Sequence, residues 1–241
     1  MSEVRIKAIV TKVIEYLEND KLLTLLTEQG NILVKVRGCK SLKSKLKFCT
    51  APLFFGEYLL SYTKGRYIVM GCDCIDSFKV IAEDIDKFYV SNIFREMAYR
   101  LGRERVEDGL LVVLVKELSE LSYSNINPLL AAINGMIRIM SYAGFGINWG
   151  DCSICGNHIS DYFSLESGGL VCSLHQDATS ERLSESALNL IRALTFSPED
   201  IMEIDYSIVS VKEILNVISK FFTYHTESKL KSVSQYISIL I

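Results

Sequence analysis

The sequence holds no long hydrophobic run. Its longest uninterrupted aliphatic stretch is Leu110–Val115, far short of the roughly 20 residues a membrane-spanning helix needs, so no membrane partner is expected. The opening MSEVRIKAIV carries an early acidic residue and lacks an apolar segment ending in a small-residue cleavage site. No secretory leader is therefore expected, and the protein is expected in the cytoplasm. Internal repeats and low-complexity tracts are missing, which excludes solenoids and linker-like chains. So are the G-x-x-x-x-G-K-[ST] phosphate loop and the G-x-S-x-G nucleophile elbow, two common signatures of enzymes. Cysteine is present seven times, but an odd number with Cys39, Cys49, Cys72 and Cys74 scattered makes no disulfide framework and fits a reducing compartment. Cys72-Asp-Cys74 has the wrong spacing for a redox pair, and both read as strand residues.

What is present is ample apolar material: 49% of 241 residues are hydrophobic, enough for a folded core. The net charge of −3 is unevenly spread. Residues 1–80 hold 13 Lys+Arg against 8 Asp+Glu, and residues 81–241 hold 13 against 21. This asymmetry suggests a basic N-terminal module that meets a polyanion, joined to an acidic body with another task.

The N-terminal module reads as β-structure. Val4, Ile6, Ala8 and Val10 alternate with more polar positions, and the pattern runs on to Ile14 and Tyr16, as in a strand with one buried face. Strands over Leu22–Thr27 and Ile32–Val36 flank the turn Glu28-Gln29-Gly30-Asn31, and strands over Leu53–Tyr62 and Tyr67–Cys72 flank Thr63-Lys64-Gly65-Arg66. Five short strands in about 75 residues suggest a closed barrel, of the OB or the SH3-like type.

Between the third and fourth strands lies a basic loop. Lys35, Arg37, Lys40, Lys43, Lys45 and Lys47 fall within thirteen residues that contain no acid, with Gly38 and two serines among them. Such a loop either contacts phosphate oxygens, giving salt-dependent and sequence-independent binding, or is a solvated charged surface. Phe48, Phe54, Phe55, Tyr58 and Tyr62 lie nearby; some must be core and others are free to stack on bases.

From Asp84 the period becomes helical. Ile85, Phe88, Tyr89, Phe94, Met97, Ala98 and Leu101 recur on one face, and Gly102 and Gly109 frame a charged connection. A second helix is expected over Leu110–Leu121, a third from Asn127-Pro128 to Gly144, a fourth over Ser184–Leu194, and a last one opened by a Ser210-Val-Lys-Glu213 capping box.

Within this body, Cys152-Ser-Ile-Cys155 and Cys172-Ser-Leu-His175 form two ligand pairs with identical spacing, bounded by Gly156 and Gly168-Gly169. A short hairpin through Tyr162-Phe163 and Leu170-Val171 would bring the pairs together. Cys152, Cys155, Cys172 and His175 make a Cys₃His set suited to Zn²⁺, and four protein ligands leave no open position, which marks a structural site. Buried free thiols are the alternative reading, and His158 competes as fourth ligand. A zinc deaminase would want an H-x-E motif, which His158-Ile-Ser160 does not supply. No enzymatic activity is expected.

The ordered set of these features resembles the bacterial RecO family of DNA repair proteins. It comprises the early strand pair with Gly30, the loop from Arg37 to Ser44, Ala143-Gly144-Phe145 ahead of Cys152-x-x-Cys155-Gly156, Tyr162-Phe163 to Gly168-Gly169-x-x-Cys172, and Tyr224-His225-x-x-x-Lys229-Leu230-Lys231-Ser232. The resemblance implies an α+β protein: an N-terminal OB-fold β-barrel over residues 1–80 that binds DNA, then a mainly α-helical domain over residues 81–241 with an embedded zinc-binding hairpin at 149–178. It further implies a nucleoid-associated mediator that binds single- and double-stranded DNA and anneals single strands. With RecR, and often RecF, such a protein helps load RecA onto DNA coated by single-strand binding protein, whose C-terminal tail it recognises. The sequence does not locate that tail groove, although the apolar faces around Ile93–Leu121 are a candidate wall. Two departures stand out: His175 where a fourth cysteine is common, and lysines where relatives often have arginines. The second favours loose phosphate attraction over bidentate clamping. A zinc-stabilised interaction or transcriptional adaptor is the alternative function.

Overall fold

The structure is a computed structural model and describes residues 2–103, 109–196 and 206–241. Part of the charged connection expected between Gly102 and Gly109, residues 104–108, lies outside the described residues.

The first five strands are β1 (Ser2–Tyr16), β2 (Asp20–Thr27), β3 (Gly30–Val36), β4 (Phe55–Thr63) and β5 (Arg66–Asp76). They close in the order β1-β2-β3-β5-β4, with the one parallel contact, Val34 to Tyr67 and Lys35 to Ile68, joining β3 and β5. This is an OB-like barrel. β1 is long because it serves two neighbours: Ser2–Ile9 pairs with β4 and Ile9–Tyr16 with β2. A register shift between Val10 and Lys12 leaves Thr11 without a paired residue, and its hydroxyl donates to the Thr24 carbonyl at 3.1 Å. A bulge of this kind bends a strand enough to turn it from one sheet partner to another.

Alternation along the strands fills the barrel. Ala8, Val10, Leu23, Leu25, Val34, Val36, Tyr58 and Leu60 point inward and are fully or almost fully buried, each large aliphatic contributing about 1.5–3 kcal/mol. The β4–β5 turn holds Lys64 at φ 50° and Gly65 at φ 77°, the two left-handed central positions of a tight hairpin turn.

The body contains α1 (Ile85–Leu101), α2 (Leu110–Tyr123), α3 (Pro128–Tyr142), α4 (Glu185–Phe196), α5 (Ile208–Thr226) and α6 (Lys231–Ile239). Between α3 and α4 the strands β6 (Tyr162–Ser164), β7 (Gly169–Val171) and β8 (Glu181–Arg182) form a small sheet in the order β7-β6-β8. Asp84 caps α1 by accepting from the Lys87 N–H at 2.9 Å, and Asn127 caps α3 ahead of Pro128.

Two expectations are corrected. The capping box of α5 is Ser207 with Ser210, so the helix starts three residues before the expected Ser210–Glu213 box. Glu213 instead reaches across to Ser184, accepting from its N–H at 2.8 Å and its hydroxyl at 2.5 Å. Ile93, Phe94 and Met97 of α1 and Leu114, Leu118 and Leu121 of α2 are core rather than the wall of an open groove, while Ile85, Phe88 and Val112 of the same helices are exposed.

Barrel and body share that core. Ile9, Leu26 and Leu53 leave the barrel's outer surface to pack with Val90, Ile93, Phe94 and Met97 of α1. The β2–β3 turn docks on the end of α1: the Asn31 N–H donates to the Gly102 carbonyl and its Nδ2 to the Tyr99 carbonyl, both at 2.8 Å. One part of the β1-β2-β3 outer face is thus covered by α1.

Candidate nucleic-acid interface and metal centre

The chain from Arg37 to Lys47 folds as consecutive turns after β3. Asp20 Oδ1 accepts from the Gly38 N–H at 2.8 Å, where Gly38 adopts φ 60°, and buried Cys39 anchors the loop in the barrel core. The six basic residues divide into two groups. Lys35 Nζ lies 2.7 Å from Asp20 Oδ2 and 4.8 Å over the Tyr16 ring. Lys40 Nζ lies 2.7 Å from Glu15 Oε2 and 3.2 Å from the Leu17 carbonyl. The bond from Lys35 and the Gly38 N–H hold the Asp20 carboxyl below its ordinary pKa, and Lys40 does the same for Glu15. Arg37, Lys43, Lys45 and Lys47 are exposed and have no ion pair among the described residues.

Beside this loop an open groove of ≈ 840 Å³ is lined by Val13, Lys21, Lys45, Lys47, Phe48 and Pro52. Phe48 is half-exposed, its ring edge-on to buried Phe54 at 5.3 Å. Of the nearby aromatics, Phe54 and Tyr58 are core, Phe55 packs against the body, and Phe48 and Tyr62 present a face to solvent. Neutralisation of Lys35 and Lys40 was invisible in the sequence because Asp20 is only a diagonal neighbour of Lys35, next on the same face of β2 from the opposed Leu22, and Glu15 lies on β1, far in sequence from Lys40; only the closed barrel brings each pair together.

The second constellation sits at the small sheet. Ligand atoms of Cys152, Cys155, Cys172 and His175 lie within 4.8 Å of one another. Cys155 Sγ is 3.9 Å from Cys172 Sγ, and His175 Nδ1 is 3.2 Å from Cys172 Sγ and 3.7 Å from Cys152 Sγ. A tetrahedral ion with bonds of about 2.3 Å to sulfur requires S···S edges of roughly 3.8 Å, so the cluster fits. The chain turns tightly at both pairs, the Gly156 N–H donating to the Cys152 carbonyl and the His175 N–H to the Cys172 carbonyl. His158 is not part of the cluster: its Nδ1 is 2.8 Å from Asp151 Oδ1 and its side chain is 89% exposed.

Electrostatics point the same way. Burial opposes ionisation of Cys152, yet the N–H groups of Cys155, Cys172 and Ile154 outweigh it and bring its pKa down to about 6. The N–H of Asn157 favours the Cys155 thiolate, but burial and the neighbouring Cys152 and Cys172 together push its pKa up. Neighbouring thiolates repel one another, and a dication held among them removes that conflict. Behind the site the backbone comes close: a Cβ on Gly169 would fall 2.5 Å from the Asn148 carbonyl oxygen.

Family profiles cover almost the whole chain. The profile described as Recombination protein O N terminal matches residues 1–78, and that described as Recombination protein O C terminal matches residues 82–234. The chain belongs to the RecO family. Among its RecO relatives, the DNA repair protein RecO of Clostridium novyi (strain NT) is 28% identical over 238 residues, covering 97% of this chain and 93% of the relative. The protein of the same name from Clostridium perfringens (strain 13 / Type A) is 30% identical over 190 residues, 77% of each chain. That of Caldicellulosiruptor bescii is 30% identical over 176 residues, 71% of this chain and 72% of the relative. RecO proteins are DNA repair and recombination proteins, and an OB-like barrel with a basic loop suits binding to DNA. No helix among the described residues is long and apolar enough to cross a membrane.

Proposed function

We propose that this chain binds single-stranded DNA on the basic loop of its barrel, anneals complementary strands, and helps load RecA onto DNA coated by single-strand binding protein. RecR, RecF and the C-terminal tail of that binding protein are the partners in this reading, double-stranded DNA is a second ligand, and the nucleoid is the place of work. The observation that carries it is the exposure of Arg37, Lys43, Lys45 and Lys47 on one loop, free of carboxylate partners among the described residues and beside half-exposed Phe48.

Annealing needs no covalent chemistry. Cations on a compact loop lower the repulsion between two phosphate backbones and raise their local concentration, while base pairing supplies the driving force. Phe48 offers a ring on which a base can stack whatever its identity. Residues 1–80 do this work. Residues 81–241 support it, with the element at 149–178 closed by a structural zinc ion held by Cys152, Cys155, Cys172 and His175. The ion would supply cross-linking of two chain segments and no reactive position.

Gel shifts with single-stranded oligonucleotides at two salt concentrations test the reading. A complex at low salt that weakens as salt rises, independent of base sequence, is expected. Absence of a complex at low salt would contradict it and favour an adaptor that acts through proteins alone.

A further inference from the structure

Arg37, Lys43, Lys45 and Lys47 are joined by further cations that have no carboxylate partner among the described residues. Where β1 meets α1, Lys12 Nζ donates to the Tyr99 hydroxyl at 3.1 Å and lies 4.8 Å from its ring centroid, and Arg103 donates to the same hydroxyl at 2.8 Å. Arg95 donates to the Thr11 carbonyl at 2.8 Å, and its Nε is buried without a partner. Lys12, Arg95 and Tyr99 line a cleft of ≈ 390 Å³ between β1, α1 and α6 that also takes in Arg100 and Lys231, and Arg103 meets its edge through the Tyr99 hydroxyl. The acid in this cleft, Glu96, is spent on Arg100 and on the Ser232 N–H and hydroxyl. Among the described residues, Lys12, Arg95, Arg103 and Lys231 have no carboxylate partner. Positive groups converging on one neutral phenol oxygen repel each other, and an anion there relieves the repulsion.

Strand register connects this cleft to the basic loop. Directly opposed residues in a sheet share a face. Lys12 is opposite Thr24, and Thr24 opposite Leu33; Ile14 is opposite Leu22, and Leu22 opposite Lys35. These two rows form the part of the barrel's outer face that α1 leaves open, with Ile14 41% and Leu33 58% exposed. Beyond them lie Tyr16, Asp20 and the loop that begins at Arg37. From Tyr16 to Lys12 the distance along β1 is on the order of 13 Å, within the reach of a few nucleotides. The face is therefore a track with exposed aliphatic side chains between two groups of cations that have no carboxylate partner among the described residues.

We infer that a single DNA strand held at the basic loop continues over the outer face of β1, β2 and β3, and that its phosphates enter the Tyr99 cleft, where Lys12 and Arg103 bind them. The inference rests on the proposed DNA binding at the loop and extends it to a second contact. Burial works against ionisation of Tyr99, but the bonds and charges of Lys12 and Arg103 outweigh it and hold the phenol below its ordinary pKa, in keeping with a locally positive field.

The test is the salt dependence of binding of an oligothymidylate of about 16 nucleotides, the upper site size of an OB fold, to the full chain and to Lys12→Gln/Arg103→Gln. The slope of log affinity against log salt should shrink by about 1.4, two cations at about 0.7 each, with unchanged circular dichroism. Tyr99→Phe removes the phenol oxygen but keeps both cations, and should retain the wild-type slope. An unchanged slope in Lys12→Gln/Arg103→Gln, with Lys43→Gln/Lys45→Gln still reducing it, would overturn this inference and leave the loop reading intact. Unchanged slopes in both double variants would remove the loop reading as well. If Tyr99→Phe lost as much slope as Lys12→Gln/Arg103→Gln, the cluster would act through structure and the phosphate contact would be wrong. An acidic peptide with a free C-terminal carboxylate that binds wild type but not the cleft variant, with the DNA slope unchanged, would assign the cleft to a protein tail.

Discussion

Lys35 Nζ sits 2.7 Å from Asp20 Oδ2, on a side chain only 20% exposed. A cation held this way fixes the start of the loop, because the other oxygen of Asp20 accepts from the Gly38 N–H. Lys35→Gln is therefore expected to lower Tm and leave the salt slope of DNA binding near wild type. Lys43→Gln should do the reverse, keeping Tm and reducing the slope by about 0.7. The folded-state pKa of Asp20 is depressed, so its contribution is complete above the unfolded carboxylate value of about 3.9. It is lost as pH falls through the lower folded value. Acid titration of Tm in wild type and Lys35→Gln, compared between pH 7 and pH 3, checks the sign: the gap should narrow toward pH 3.

Glu117 makes the opposite case. Its side chain is 5% exposed and is met by Arg138, which is 3.1 Å from Glu117 Oε1 and 2.8 Å from Glu120 Oε2. Burial raises the Glu117 pKa against the pull of Arg138. Arg138→Met would leave a buried carboxylate uncompensated. Loss of one partner of a fully buried pair costs about 3–5 kcal/mol; with Arg138 38% exposed, about 2 kcal/mol is expected. A raised carboxylate pKa gives stability that is present below about pH 4.3 and lost as pH rises through the folded value. The deficit of Arg138→Met should thus be small near pH 4 and larger at pH 7, and Glu117→Gln in the same chain should recover most of it. Chemical denaturation at the two pH values measures both effects.

Metal analysis of the purified chain is expected to give one zinc per molecule, and Cys172→Ala none. A chelator should lower Tm by about 5 °C or more, given roughly 2–4 °C per kcal/mol for a chain of this size and the coupling of metal binding to folding. Loss of DNA binding at a temperature where the chelated chain remains folded would contradict a purely structural role.

Strands and helices were legible where the period of apolar residues was clean. Val4–Tyr16 announced β1, and Asn127-Pro128 announced α3. The Cys₃His set was legible from spacing alone, and the small sheet brings its members together. Features decided by distant partners stayed hidden. Helix α6 is short, and Glu96, more than a hundred residues upstream, supplies acceptors at its start for the Ser232 N–H and hydroxyl at 2.8 and 2.7 Å. Glu213 looked like the N3 acid of a local cap but serves Ser184 on another helix. The charge count of the basic loop was visible, whereas its division into paired and unpaired cations depends on Glu15 and Asp20 across the β1–β2 hairpin. Local rules find local caps and periods; they do not find which charge a cross-strand neighbour cancels.

The central claim, that unpaired cations of the loop contact DNA phosphates, is tested most directly by the salt dependence of single-strand binding in Lys43→Gln/Lys45→Gln/Lys47→Gln. With all three charges removed the slope of log affinity against log salt should shrink by about 2, at about 0.7 per cation, and affinity should fall equally for every base sequence. A variant that is folded, binds as tightly as wild type and keeps the full slope would contradict the account.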